Sequence, residues 1–372
     1  MIYPDFISAP PAVYAVGNEY QIFLTASIET LMWVNVGNEE YYDDSNGILR
    51  SGSLTHVMSV PMEELDSAGK YTICFRRVYD RKPYFSNAGE IETLTFNFHP
   101  IKGPEINLYM IADAHNRINA PVEAGKFFGD KLNLLVLNGD IPNHSGEIKF
   151  FEAFHQIAGR ITQGEIPVVC SRGNHDLRGI HAEDLERYMP GNHGVSYYTF
   201  RLGPVWGIVM DCGEDKPDDH EAYGHTICCH AFRKRETKFL EKVIQSAEKE
   251  YNAPGVKYRL IVCHVPFSDI HVPPFDIEQE LYKYWCKLLR ENVKPDIMLC
   301  GHRHRIYVSR NGSEWDKQGQ PCPVVVGACP GNDWSGVIGS AVELTPEGIR
   351  IRFTDQDHNV LGDEFVPLND QK

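Results

Sequence analysis

Six apolar runs between residues 106 and 301 constrain this chain more than any other feature: INLYMIA (106–112), LNLLVLN (132–138), IPVVCS (166–171), VWGIVMD (205–211), YRLIVCH (258–264) and DIMLCG (296–301). Each is the length of a strand and apolar throughout, as expected for sheets covered on both faces. Helical stretches separate them. In 147–161, for example, Ile148, Phe151, Phe154 and Ile157 recur at helical spacing, and Ser145 is placed to cap the start. The pattern predicts a layered α/β domain over 103–372, ending in a strand-rich tail such as GIRIRFTD (348–355).

Upstream, the texture is different. EYQIFLT, TLMWVNV, YTICFRRV and IETLTFNF are short strand candidates, divided by the turn signals GNEE, DDSNG and DSAGK. An all-β sandwich is expected over residues 1–102, with HPIKGPE (99–105) as the boundary. A chain of 372 residues accommodates both parts.

The apolar runs end in residues that bind metals. The first is followed by Asp113 and His115, the second by Asp140, and the third by Asn174, His175 and Asp176. The fifth ends in His264, and the sixth leads to His302 and His304. Singly, an Asp or Asn after Gly forms turns, and a His at a strand end is commonly a hydrogen-bonded structural residue. Five strand ends carrying such residues together are not explained that way. Imidazole, carboxylate and one amide oxygen, without thiolate, suit borderline divalent cations: Mn, Fe, Co, Ni or Zn. Two such ions sharing a carboxylate lie about 3.5–4 Å apart and can hold a hydroxide between them.

The ordered set D-x-H (Asp113, His115), G-D (Gly139, Asp140), G-N-H-D (Gly173–Asp176), His264 and G-H-x-H (Gly301–His304) resembles the calcineurin-like metallophosphoesterase superfamily. The resemblance implies a layered α/β-β/α sandwich and phosphoester hydrolysis by a metal-held hydroxide. It places Asp113, His115 and His304 on one metal, Asn174, His264 and His302 on the other, and Asp140 between them. His175 would lie beside the substrate phosphate, binding its oxygens or protonating the leaving group. Asn116 and Arg117, after D-A-H, could reach the phosphate through their side-chain donors, as could Arg172, although ion pairing explains an arginine equally well.

The N-terminal layout is similar to that of purple acid phosphatases, which carry a fibronectin type III-like domain there. Two departures separate this chain from them. Their G-D motif continues to a tyrosine ligand of ferric iron, where this chain has Asn143, and their D-x-G is D-A-H here. The resemblance therefore implies a phenolate exchanged for the imidazole of His115, favouring two divalent ions.

A net charge of −15 argues against a nucleic-acid polymer as partner, because such binding draws on a basic surface. A small phosphomonoester or phosphodiester is the expected substrate; the alternative is a catalytically inactive metal-binding scaffold, although every ligand position is filled. No stretch approaches the roughly 20 apolar residues of a membrane span. Ten cysteines, several inside apolar runs, favour reduced thiols and a cytoplasmic protein. The irregular stretch 213–236 is expected to be a lid that shapes substrate choice; its His225, Cys228, Cys229 and His230 fit zinc spacing poorly. His181, His193, His220 and His271 receive no role, and no oligomeric state follows.

Overall fold

The computed structural model describes residues 3–44, 47–269, 272–330 and 334–368, so His271 lies outside the described residues. All six apolar runs form strands, and they divide between two sheets. Ile106–Ile111, Leu134–Asn138 and Pro167–Ser171 lie side by side and parallel in a ten-stranded sheet. Val205–Met210, Tyr258–Cys263 and Ile297–Cys300 do the same in a six-stranded sheet.

The period of two along a strand sends alternate residues of the smaller sheet to different cores. Val205, Val209, Leu260, Val262, Ile297 and Leu299 join the core shared with the larger sheet. Trp206, Ile208, Met210, Ile261, Cys263 and Met298 face the other way, under the helices Cys229–Gln245 and Gln279–Leu288. The helices Asn119–Gly125 and Glu152–Thr162 cover the larger sheet. The result is a helix–sheet–sheet–helix sandwich with an N-terminal β-rich region. Each fully buried Val, Leu or Ile stabilises it by about 1.5–3 kcal/mol relative to exposure.

The N-terminal strands are integrated more deeply than their composition suggests. Ala12–Val16 pairs parallel with Pro167–Ser171, and Glu19–Thr25 and Thr55–Pro61 follow it antiparallel, so the large sheet continues across the change of pattern at 99–105. Thr30–Val36, Glu39–Tyr42, Lys70–Arg81, Ser86–Ala88 and Glu92–Asn97 make a separate five-stranded sheet. DSAGK is not a simple turn: it ends a short helix, Met62–Ala68, which Gly69 terminates at φ 64.

Ser145 is not a helix cap. A 3-10 turn, Ile148–Phe151, precedes the α-helix Glu152–Thr162, which puts Ser145 well ahead of it. Its hydroxyl donates instead to the Asp176 carbonyl at 2.6 Å, and Ile148 is exposed. The ten cysteines form no disulfide, and all but Cys228 are buried. Among the described residues no helix is long and apolar enough to cross a membrane.

Candidate metal centre

The loops that follow the strands converge at one edge of the two sheets and are tied to each other through the backbone. Asp113 N donates to Gly139 O (3.1 Å), His115 N to Asp140 O (3.0 Å), Asn116 N to Ile141 O (2.9 Å) and Gly301 N to His264 O (2.9 Å). Approach this close requires glycine. A Cβ on Gly173 would collide with Asp140 Oδ1 and N, and one on Gly139 would lie 2.6 Å from His264 Nδ1 and 2.7 Å from Gly173 Cα. Backbone strain is concentrated here as well. Asp113, His115, Asn116, Asp140, His302 and His304 all have φ between 47 and 69°, a region that costs a non-glycine residue about 1–3 kcal/mol and marks functional sites.

Two carboxylates are each half used by the backbone. Asp113 Oδ2 accepts from His302 N (3.0 Å) and Asp140 Oδ1 from His175 N (2.8 Å). The remaining oxygens face imidazoles: Asp113 Oδ1 is 3.2 Å from His304 Nε2, and Asp140 Oδ2 is 3.1 Å from His264 Nε2. His115 Nε2 lies 3.4 Å from His304 Nε2, and Asn174 Oδ1 lies 3.0 Å from His302 Nδ1. Among the described residues, the acidic, His and Cys side chains gather into two groups able to hold a metal: Asp113, His115 and His304, and Asp140, His264 and His302. Asp113 Oδ1, 3.8 Å from His264 Nε2, joins them.

The chemistry of this set fits cations. Asp113 Oδ1 and His264 Nε2 are buried and close to polar neighbours, yet neither has a correctly directed hydrogen bond. Burying such atoms without a partner costs about 1–3 kcal/mol or more, and cations held by the two groups would remove that cost. His264 Nδ1 donates to Asn138 O (2.7 Å), which turns the Nε2 lone pair inward. Burial holds His115 down at about 4, against the pull of Asp140 and Asp113, so its imidazole is neutral and can act as a ligand. Burial and the neighbouring His264 also bring His302 to about 4. Burial works against charge on Asp140 and on His264, but their attraction outweighs it: the carboxyl is held below its ordinary range and His264 rises to about 10. A cation would take over the proton's place on His264.

His175 is held from both sides. Its Nδ1 is 2.9 Å from Asn143 O, and its Nε2 is 2.9 Å from Arg178 Nη1. Arg178 is fixed in turn by two hydrogen bonds to buried Glu214, at 2.8 and 2.9 Å. Sequence reasoning missed Arg178. The 3-10 turn His175–Leu177 brings a residue three places on back alongside His175, and that spacing was a usable signal.

Arg117 and Arg172 both have partners within the protein. Arg117 donates to the carbonyls of Asp113 (2.6 Å), Ala114 (2.8 Å), Trp334 (3.1 Å) and Gly336 (2.6 Å), so its fork braces loops. Asn116 Oδ1 accepts from Asn143 N at 3.1 Å. Arg172 pairs with Asp211 at 2.6 Å and lies over the Phe232 ring. The irregular segment after residue 213 is pinned rather than loose: Tyr223 Oη reaches Glu214 and Asp215, and Asp218 accepts from Cys229 N and His230 N at the start of a helix. Its His and Cys residues form no third metal group among those described.

The centre opens into a cavity of about 450 Å³, which Arg178, Lys216, Arg303 and Arg305 also line. These cations give an acidic protein a local attraction for anions.

The motif region, residues 106–305, matches the family model for calcineurin-like phosphoesterase. The chain belongs to that family. It is a metal-dependent phosphoesterase, with His and Asp groups able to hold the metals. No curated protein matches the sequence. Among solved structures it is similar to a purple acid phosphatase from yellow lupin (Lupinus luteus) seeds, with 13% identity and a TM-score of 0.57 over 96% of this chain and 74% of that one. It is also similar to PhoD, with 11% identity and a TM-score of 0.54 over 98% of this chain and 90% of the other. These likenesses extend over the N-terminal β-rich region and the α/β sandwich together.

Proposed function

We propose that the protein is a dinuclear-metal hydrolase of a small phosphomonoester or phosphodiester. Asp113, His115 and His304 would hold one divalent ion and Asn174, His264 and His302 the other, with Asp140 between them. Such a pair, when bound, acidifies water and neutralises phosphoryl oxygens. The observation that carries this reading is the pair of adjoining ligand groups, whose buried Asp113 Oδ1 and His264 Nε2 lack directed hydrogen bonds.

The chain's own residues have distinct tasks. Asn138 O orients His264, and Arg178 with Asn143 O orients His175 at the cavity wall. There His175, once protonated at Nε2, donates to a phosphate oxygen or to the leaving oxygen. Asn116 and Arg117 are assigned to bracing the loops, and the basic rim to attracting the substrate. The division into residues 1–102 and 103–372 is likewise proposed, with the first part acting as a buttress through its parallel pairing at Pro167–Ser171.

The test is a panel of phosphomonoesters and phosphodiesters assayed on metal-depleted protein, with Mn, Fe, Co, Ni and Zn restored separately. Activity should vanish on chelation and return with at least one ion, and Asp140→Asn should lower it by orders of magnitude. Full activity after chelation would falsify the proposal.

A further inference from the structure

Trp334 is an exposed aromatic beside the metal ligands, and the hydrolysis proposed above makes no use of it. Although 57% exposed, it is held firmly. Its ring centroid lies 5.3 Å from that of His304 and 6.0 Å from that of His115. Its backbone sits at φ 62°, which a bulky residue adopts only under constraint. Arg117 supplies that constraint by donating to the carbonyls of Trp334 and Gly336 with one nitrogen, and to those of Asp113 and Ala114 with the others. One guanidinium thus locks the indole-bearing loop to the loop that carries Asp113. A strained indole kept largely in water recovers little of its cost from burial. A partner that arrives with the substrate would recover it.

We propose that Trp334 is a stacking platform for an aromatic ring in the substrate, so that the preferred phosphoesters carry a planar ring bonded close to phosphorus. The proposal rests on the phosphoesterase reading above. The closeness follows from position: the indole touches two of the ligand imidazoles, so a ring stacked on it lies next to a phosphate held by those ligands. His175 also adjoins His115, with ring centroids 4.7 Å apart. Aromatic faces recognise one another by quadrupole as well as by area, which separates a phenyl group from a saturated ring of similar size.

The experiment is calorimetric titration of Mn-loaded protein with phenylphosphonate, cyclohexylphosphonate and ethylphosphonate, none of which has an ester bond to cleave. Phenylphosphonate should bind roughly tenfold more tightly than ethylphosphonate and roughly threefold more tightly than cyclohexylphosphonate. Trp334→Ala should erase both preferences by weakening phenylphosphonate, with its metal content kept, and Trp334→Phe should retain most of them. Equal weakening of all three ligands with loss of metal would make Trp334 a prop for His304 and overturn the proposal, as would preferences that survive Trp334→Ala. If wild-type protein binds the three equally, only the Trp334 assignment falls. If it binds none, the phosphoesterase reading falls and takes the proposal with it.

Discussion

His175 Nδ1 lies 2.9 Å from the carbonyl oxygen of Asn143. A carbonyl only accepts, so Nδ1 carries the hydrogen, and the Nε2 lone pair is left to accept from Arg178 Nη1 at 2.9 Å. The ring is therefore oriented by partners that belong to neither metal group, which separates its role from metal binding. His175→Ala should lower turnover by about 10²–10⁴-fold while both ions remain. Metal analysis beside steady-state kinetics checks this, and metal loss in proportion to activity would make His175 a ligand or a support.

The same contact gives Asn143 a backbone task. Asn143→Ala keeps the carbonyl that holds His175 and the N–H that donates to Asn116 Oδ1 at 3.1 Å, so both metals should stay and the rate should change modestly. His115→Ala removes a nitrogen from the group with Asp113 and His304 and should lower the occupancy of one ion. Iron-loaded protein should show no tyrosinate-to-iron absorption band, because no tyrosine follows the G-D motif at that position. A purple protein, or metal loss from Asn143→Ala alone, would reverse the assignment.

How far the site was legible depended on how local its signals were. Asp113, Asp140, His264 and His302 stand at strand ends, and strand ends can be read from apolar runs. Arg178 matters because a single 3-10 turn sets it against His175, and Glu214 because it reaches Arg178 across 36 positions; neither has a periodic pattern. Trp334 comes to His115 and His304 from a stretch with no strand signal of its own. The parallel pairing of Ala12–Val16 with Pro167–Ser171 spans more than 150 residues, and a strand buried along its whole length looks the same in either sheet.

Gly173 should tolerate no side chain. The nearest atoms to its would-be Cβ are the Asp140 backbone nitrogen and Asp140 Oδ1, a buried oxygen held by His175 N at 2.8 Å. Gly173→Ala should push Asp140 off its place and weaken metal binding by roughly 10–100-fold. Gly103→Ala is the control, since its Cβ would meet nothing closer than 3.9 Å. Metal titration of the two variants decides the matter, and equal affinities would mean that the loops yield more easily than their contacts indicate.

His155 makes the join between the N-terminal strands and the α/β sandwich sensitive to acid. Its Nε2 donates to Tyr188 O at 2.8 Å and its Nδ1 accepts from Tyr14 Oη at 3.3 Å, while its ring stacks on Phe23 at 4.6 Å. Both nitrogens are used by the neutral form, and burial holds the group down at about 4 despite the Tyr188 hydrogen bond. Unfolded, the imidazole titrates near 6.5. Between these values the unfolded chain binds more protons, so stability rises with pH. The penalty is absent above about 6.5 and grows as pH falls toward 4, where it amounts to about 3 kcal/mol. His155→Gln keeps a donor for Tyr188 and cannot titrate. Urea unfolding of both proteins at pH 7.5 and 4.5 should therefore show wild type losing more stability than the variant on acidification. Parallel losses would place the acid sensitivity elsewhere, and Tyr14, Phe23 and His155 would then join the two parts by packing alone.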